Sequence, residues 1–114
     1  MKLESKSIGD KVAVINVEGD ITAIEAGSLK KEISDTIGSK PYQFLVLNMG
    51  KVNYIDSSGL GVLVSAFKRM KEVGGTVKLC GLQPRVKAVL DVTRMSQVFE
   101  IYEVEDEAVK SCKV

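Results

Sequence analysis

Short apolar runs alternate with amphipathic stretches along almost the whole chain. In "KVAVINVEG" (residues 11–19) Val12 and Val14 fall on one face, and Ala13, Ile15 and Val17 on the other. Both faces are apolar, the pattern of a strand covered from two sides. The polar "KLESKSI" before it reads as an edge partner joined through the turn "GDK". In "TAIEAGSLKKEISDTIG" (residues 22–38) Ala26, Leu29, Ile33 and Ile37 recur at helical spacing. Thr22 can cap this helix with Glu25 three residues on, and Gly38 can stop it. "YQFLVLNM", between Pro41 and Gly50, reads as a buried central strand.

From Leu60 onward, Leu63, Val64, Phe67 and Met70 mark a second helix that ends at Gly74-Gly75. "TVKLCGL" is a further strand. Pro84 suits the first position of a third helix, whose apolar face is Val86, Val89 and Leu90. A last strand around Phe99–Tyr102 precedes a terminal helix with Glu105, Asp106 and Glu107 in its first turn, where carboxylates favour the helix dipole. The order β-β-α-β-α-β-α-β-α predicts an α/β fold: a mixed, mostly parallel sheet flanked by about four helices. No linker, repeat or low-complexity segment interrupts it, so a single domain is expected over residues 1–114.

Composition then narrows the function. Sixteen Lys and Arg against fifteen Asp and Glu leave a net charge of +1, which gives no electrostatic basis for nucleic-acid binding. Lys68, Arg69 and Lys71 read as a solvated helix face. The chain has no histidine, which removes Ser-His-Asp and Cys-His catalysis and any histidine-based metal site. Hydrolase chemistry is not expected, nor any metal or cofactor. Cys80 and Cys112 cannot form a disulfide scaffold, and Cys80 reads as a small buried hydrophobe. The charged start "MKLESKSIGDKV" is unlike a signal peptide, and no stretch approaches the roughly 20 apolar residues of a membrane span. The expected location is the cytoplasm, without membrane insertion.

The candidate chemistry lies in "NYIDSSGLGVLV" (residues 53–64), between the third strand and the second helix. In parallel α/β sheets that edge is where function concentrates. "DSSGLG" is not a G-x-S-x-G nucleophile elbow. It lacks the lysine and hydroxyl of a P-loop, and the third glycine of a dinucleotide fingerprint. A phospho-aspartate receiver would place an acceptor at Asp56, but the acidic pair that holds its magnesium and the lysine that ends its last strand are missing. Two readings remain open from the residues alone: Asp56 or Ser57 as a helix cap, and a serine hydroxyl as a phosphate acceptor at a helix N-terminus.

The segments "VEGDITAIEAGSLKKEI", "FLVLNMGKVNYIDSSGLGVLVSAFKRMKEVGGTVKLCGL" and "PRVKAVLDVTRMSQVFEIYEVEDEAV" together resemble the bacterial anti-sigma factor antagonists, built on the STAS (sulfate transporter and anti-sigma antagonist) domain. The resemblance covers essentially the whole chain and implies a regulator without catalysis of its own. Its partner would be an anti-sigma factor that is also a serine kinase, and binding would release the sigma factor for transcription. The acceptor would be Ser57, directly after the motif's aspartate, and a metal-dependent serine phosphatase would restore the binding form. The implied contact residues are Asp20, Thr22, Asp56, Ser57, Ser58, Gly59, Leu60 and Gly61. Ser58 is the competing hydroxyl, and Gly59 and Gly61 serve either close packing or a slim loop. One departure stands out: where the family commonly has a second aspartate, Gly19-Asp20-Ile21 is followed by Thr22, which keeps capping capacity but loses the charge. Monomer is the default state. The alternative is a STAS module that regulates a transporter or scaffolds a signalling complex, and a small-ligand module is more distant.

Overall fold

The computed structural model describes residues 1–112; the last two positions of the domain expected over 1–114 lie outside them. The chain runs β1 (Lys2–Ile8), β2 (Val12–Glu18), α1 (Ala23–Ser39), β3 (Phe44–Lys51), α2 (Ser57–Glu72), β4 (Thr76–Cys80), α3 (Pro84–Val92), β5 (Glu100–Tyr102) and α4 (Glu105–Lys110). A 3₁₀ turn at Met95–Gln97 follows α3. The five strands lie in sequence order. β1 pairs antiparallel with β2, Leu3 opposite Val17. The remaining pairs are parallel, with Ala13 opposite Leu45, Leu45 opposite Val77, and Leu79 opposite Ile101. The mixed, mostly parallel α/β architecture matches the expectation.

The two-residue period of the strands sorts their side chains onto two faces. Ala13, Ile15 and Val17, with Leu45, Leu47, Met49, Val77 and Leu79, form one continuous core with Leu29, Ile33, Leu63, Met70, Val86 and Leu90 of α1, α2 and α3. The opposite face is smaller. Val12, Val14, Val46 and Cys80 pack there with Ala108 and Cys112, flanked by Phe44, Tyr102 and Val109. Three helices therefore cover one face, and the six-residue α4 covers part of the other.

Several element ends differ from expectation, each for a local reason. α1 passes through Gly38 to Ser39, and the chain turns extended at Lys40, as the following Pro41 requires. β3 continues through Gly50 to Lys51. α2 begins at Ser57, three residues before Leu60, because Asp56 caps it. The Gly74-Gly75 stop is as expected: Gly74 has φ +78°, its N–H bonds Lys71 O, and the Gly75 N–H bonds Met70 O. This is a Schellman closure.

Polar groups fix α4 on its face. Glu105 accepts from Lys6 Nζ at 2.8 Å and from Asn48 Nδ2 at 3.1 Å. Lys78, only 4% exposed, lies between the rings of Phe44 and Tyr102, 5.3 and 5.5 Å from their centroids. It donates to Glu100 at 3.2 Å and to Ser111 Oγ at 2.8 Å. Burial opposes the charge on Glu105, but Lys6 and Asn48 outweigh it and hold the carboxyl below its ordinary value. A carboxylate held low contributes stability above the ordinary glutamate range and loses it as pH falls through the folded value. Glu105→Gln should therefore lower stability at neutral pH by about 1 kcal/mol and flatten the decline into acid. Thermal melts at neutral and acid pH would check this; an acid limb as steep as wild type's would contradict it.

Candidate functional site

Two loops at the carboxyl ends of β2 and β3 are joined by backbone. Ile21 and Ile55 form an isolated parallel bridge. The Ile21 N–H donates to Tyr54 O at 3.0 Å, and the Asp56 N–H to Ile21 O at 3.2 Å. Both isoleucines are buried, so apolar side chains anchor the loops from below while Asp20, Thr22, Asp56 and Ser57 are carried together above.

Asp56 joins the two helices that start here. It is extended (φ −102°), the conformation of an N-cap, and its side chain accepts from the Gly59 N–H of α2. Its Oδ1 lies 3.0 Å from Gly59 N, and its Oδ2 lies 3.0 Å from Ala23 N, the first amide of α1. One carboxylate thus caps both helices, at the ends where free N–H groups favour a negative charge. The cap expected from the Thr22 side chain is absent: Thr22 holds the N-cap position of α1 but makes no side-chain cap bond. Its backbone oxygen accepts instead from Glu25 and Ala26, and Asp56 supplies the side-chain cap from another loop.

The two glycines of "SGLG" do different work. Gly59 is buried, and a Cβ there would overlap Ile21 O and stand 2.7 Å from Ile21 Cγ2 and 2.8 Å from Ile55 Cγ1. It lets α2 start directly against the Ile21–Ile55 bridge. Gly61 is exposed, and a Cβ there would meet nothing within 4 Å. Ser57 and Ser58 are exposed in the first turn of α2, and Leu60 is half-buried.

Beside Ser57 an open groove of about 420 Å³ runs along α2, lined by Leu60, Gly61, Val64, Ser65, Lys68 and Met95. Val64, Lys68 and Met95 join Ser57 on this groove, beyond the residues expected at the site. Ile24 is 87% exposed and directly follows the amide that Asp56 caps. Its signal was available: it is apolar but out of phase with Ala26, Leu29 and Ile33. Arg85 stacks on the Tyr54 ring at 5.4 Å, a tertiary contact with no local signal. Lys68 lies on an exposed helix face, as expected, and from there also lines the groove.

The site's chemistry is that of a surface. Ser57 has no histidine to take its proton, and both Asp56 oxygens are engaged by backbone amides. Among the described residues, no group of three or more His, Cys, Asp or Glu side chains is placed to hold a metal ion. An exposed hydroxyl, flanking carboxylates and an apolar groove suit recognition by another macromolecule.

The chain belongs to the STAS domain family, whose model matches residues 5–108. It is 34% identical over 93 residues to the anti-sigma-B factor antagonist of Listeria monocytogenes, covering 82% of this chain and 81% of that protein. With the anti-sigma F factor antagonist of Paenibacillus polymyxa it shares 24% identity over 103 residues, 90% of this chain and 88% of that one. The crystal structure of the Thermotoga maritima protein TM1081 superposes with a TM-score of 0.88 at 28% identity, covering 96% of this chain and 92% of that one. The anti-sigma factor antagonist SpoIIAA in its unphosphorylated form shares the fold, with a TM-score of 0.84 at 19% identity over 96% of this chain and 95% of that one.

The double cap gives a graded prediction. Asp56→Ala removes both bonds and should cost about 2 kcal/mol. Asp56→Asn keeps one acceptor oxygen and should cost about half as much. Gly59→Ala should cost roughly 1–3 kcal/mol through overpacking against backbone. Urea unfolding of the three variants checks the order; equal losses for Asp56→Ala and Asp56→Asn would remove the double cap from the account.

Proposed function

We propose that this chain is an anti-sigma factor antagonist that works by partner switching. Unphosphorylated, it binds an anti-sigma factor that is also a serine kinase, and so releases the sigma factor. The kinase phosphorylates Ser57, the complex separates, and a serine phosphatase restores the binding form. The chain acts as a cytoplasmic monomer and catalyses nothing itself. Asp20, Thr22, Asp56, Ser57, Ser58, Leu60 and Gly61 make the contact surface, with Gly59 supporting it from beneath.

The observation that carries this reading is the placement of Ser57: exposed, first in α2, beside the Asp56 carboxylate and on the lip of an apolar groove. The names of relatives as similar as the Listeria protein support the assignment to anti-sigma antagonism. SpoIIAA, a fold neighbour, has been solved in both a phosphorylated and an unphosphorylated form, in keeping with a domain that tolerates the modification. A phosphate brings about −1.5 to −2 charge to the first turn of α2, where backbone N–H groups accommodate an anion. The fold is therefore spared. The surface is not: a second anion joins Asp56 at the edge of an apolar contact. Like-charge juxtaposition at an interface costs several kcal/mol, and about 1.4 kcal/mol is tenfold in affinity.

Incubation with the kinase and ATP should add one phosphate, mapped to Ser57. Ser57→Ala should stay folded and bound, while Ser57→Asp should bind at least about tenfold more weakly. Phosphate on Ser58 alone, or undiminished binding by Ser57→Asp, would overturn the switch and leave a scaffold or transporter-regulating module. Gly61→Ala separates surface from stability. It should stabilise α2 by up to about 1 kcal/mol, yet weaken kinase binding because the methyl enters the groove. A melting temperature and a binding isotherm on the same preparation decide it.

A further inference from the structure

The face of the sheet opposite the phosphorylation site carries two thiols that the proposed switch does not use. Cys80 ends β4 and Cys112 follows α4, and both are buried in the cluster of Val12, Val14, Val46 and Ala108. Among the described residues, their only helical cover is α4, six residues long, far below the roughly 12–15 residues at which a helix becomes marginal alone in water. Its apolar hold is Ala108, Val109 and Cys112. The rest is polar and sits at its two ends: Lys6 and Asn48 on Glu105, and Lys78 on Ser111. The larger core, which holds the other three helices, includes no residue of α4.

We propose that α4 is an independently opening cover, latched at Glu105 and at Ser111, and that Cys80 and Cys112 become reactive together only when it lifts. Segments with little apolar burial open at a fraction of the global unfolding free energy, and α4 has the smallest apolar hold of the four helices. While it is closed, burial excludes reagents from Cys80 and pushes its thiol up to about 11, so the closed form is inert. Opening bares an apolar strip on β2, β3 and β4 and leaves the double-capped helix starts on the other face in place. Lys78 is the more informative latch. Between two aromatic rings a methionine can take its place with similar volume, so Lys78→Met keeps the packing and removes the tie to Ser111.

The test is N-ethylmaleimide labelling of the full chain, read by intact mass and peptide mapping across low urea, beside global unfolding followed by circular dichroism. Cys80 and Cys112 should both label at least about tenfold faster than global unfolding permits and with the same weak urea dependence, as one local opening requires. Lys78→Met and Glu105→Gln should each raise both rates roughly tenfold, the effect of losing one charge-assisted hydrogen bond that holds α4, with an unchanged spectrum; the Lys78 bond to Glu100, also lost, ties β5 and not α4. Labelling that follows global unfolding with its full urea dependence would overturn the proposal. So would an adduct on Cys112 with Cys80 untouched, which means local loosening around Cys112 instead of a lifting helix. The wild-type urea dependence decides the matter even if a variant fails to fold.

Discussion

The carboxylate of Asp56 holds the first amide of α1 and an amide in the first turn of α2, each at 3.0 Å. Everything at the functional edge follows from that pair of bonds. The α1 and α2 N-termini each bring unsatisfied N–H groups and a partial positive charge to the same place, and one anion answers both. The Ile21–Ile55 bridge beneath sets the spacing. Gly59 permits it, since any side chain there would enter the Ile21 backbone. Ser57 is exposed because its neighbour supplies the cap, leaving the hydroxyl free for other use.

That division of labour separates fold from signal. Asp56, half-buried, and Gly59, buried, define the loops through backbone contacts; Ser57 and Gly61 are exposed beside them. In the proposed switch, a phosphate added at such a point would act on a partner without having to refold its carrier. The two faces of the sheet divide in a similar way. One is closed by three helices, two of which start at Asp56, while the other is closed by a short helix and a buried lysine clamped between aromatic rings.

Much of this was legible in the residues. The alternation of Val12 and Val14 against Ala13, Ile15 and Val17 foretold a strand with two buried faces, and those residues enter two separate clusters. Gly74-Gly75 stopped its helix as read. Gly38 did not, because Lys40 and Pro41 already end α1 and nothing at Gly38 needs a positive φ. The cap on α1 was misread for a physical reason: its donor and acceptor, Ala23 and Asp56, are 33 residues apart, while local pattern offered only Thr22. Gly59 and Gly61 are the same letter two positions apart, and only packing distinguishes the buried one from the open one. Met95 reached the groove through a 3₁₀ turn set by Arg94 at φ +64°, a conformation that arginine does not advertise.

The central claim is that a phosphate on Ser57 rewrites a surface and leaves the fold intact. The amide spectrum of the Ser57-phosphorylated protein, compared residue by residue with the unphosphorylated form, tests it most directly. The account predicts shifts confined to residues 20–24, 54–61 and the groove, with the Ala23 and Gly59 amides still protected from exchange and α4 unmoved. Shifts spread through β2, β3 and β4, or loss of protection at Ala23 and Gly59, would show that the phosphate displaces the Asp56 carboxylate and acts by loosening the fold.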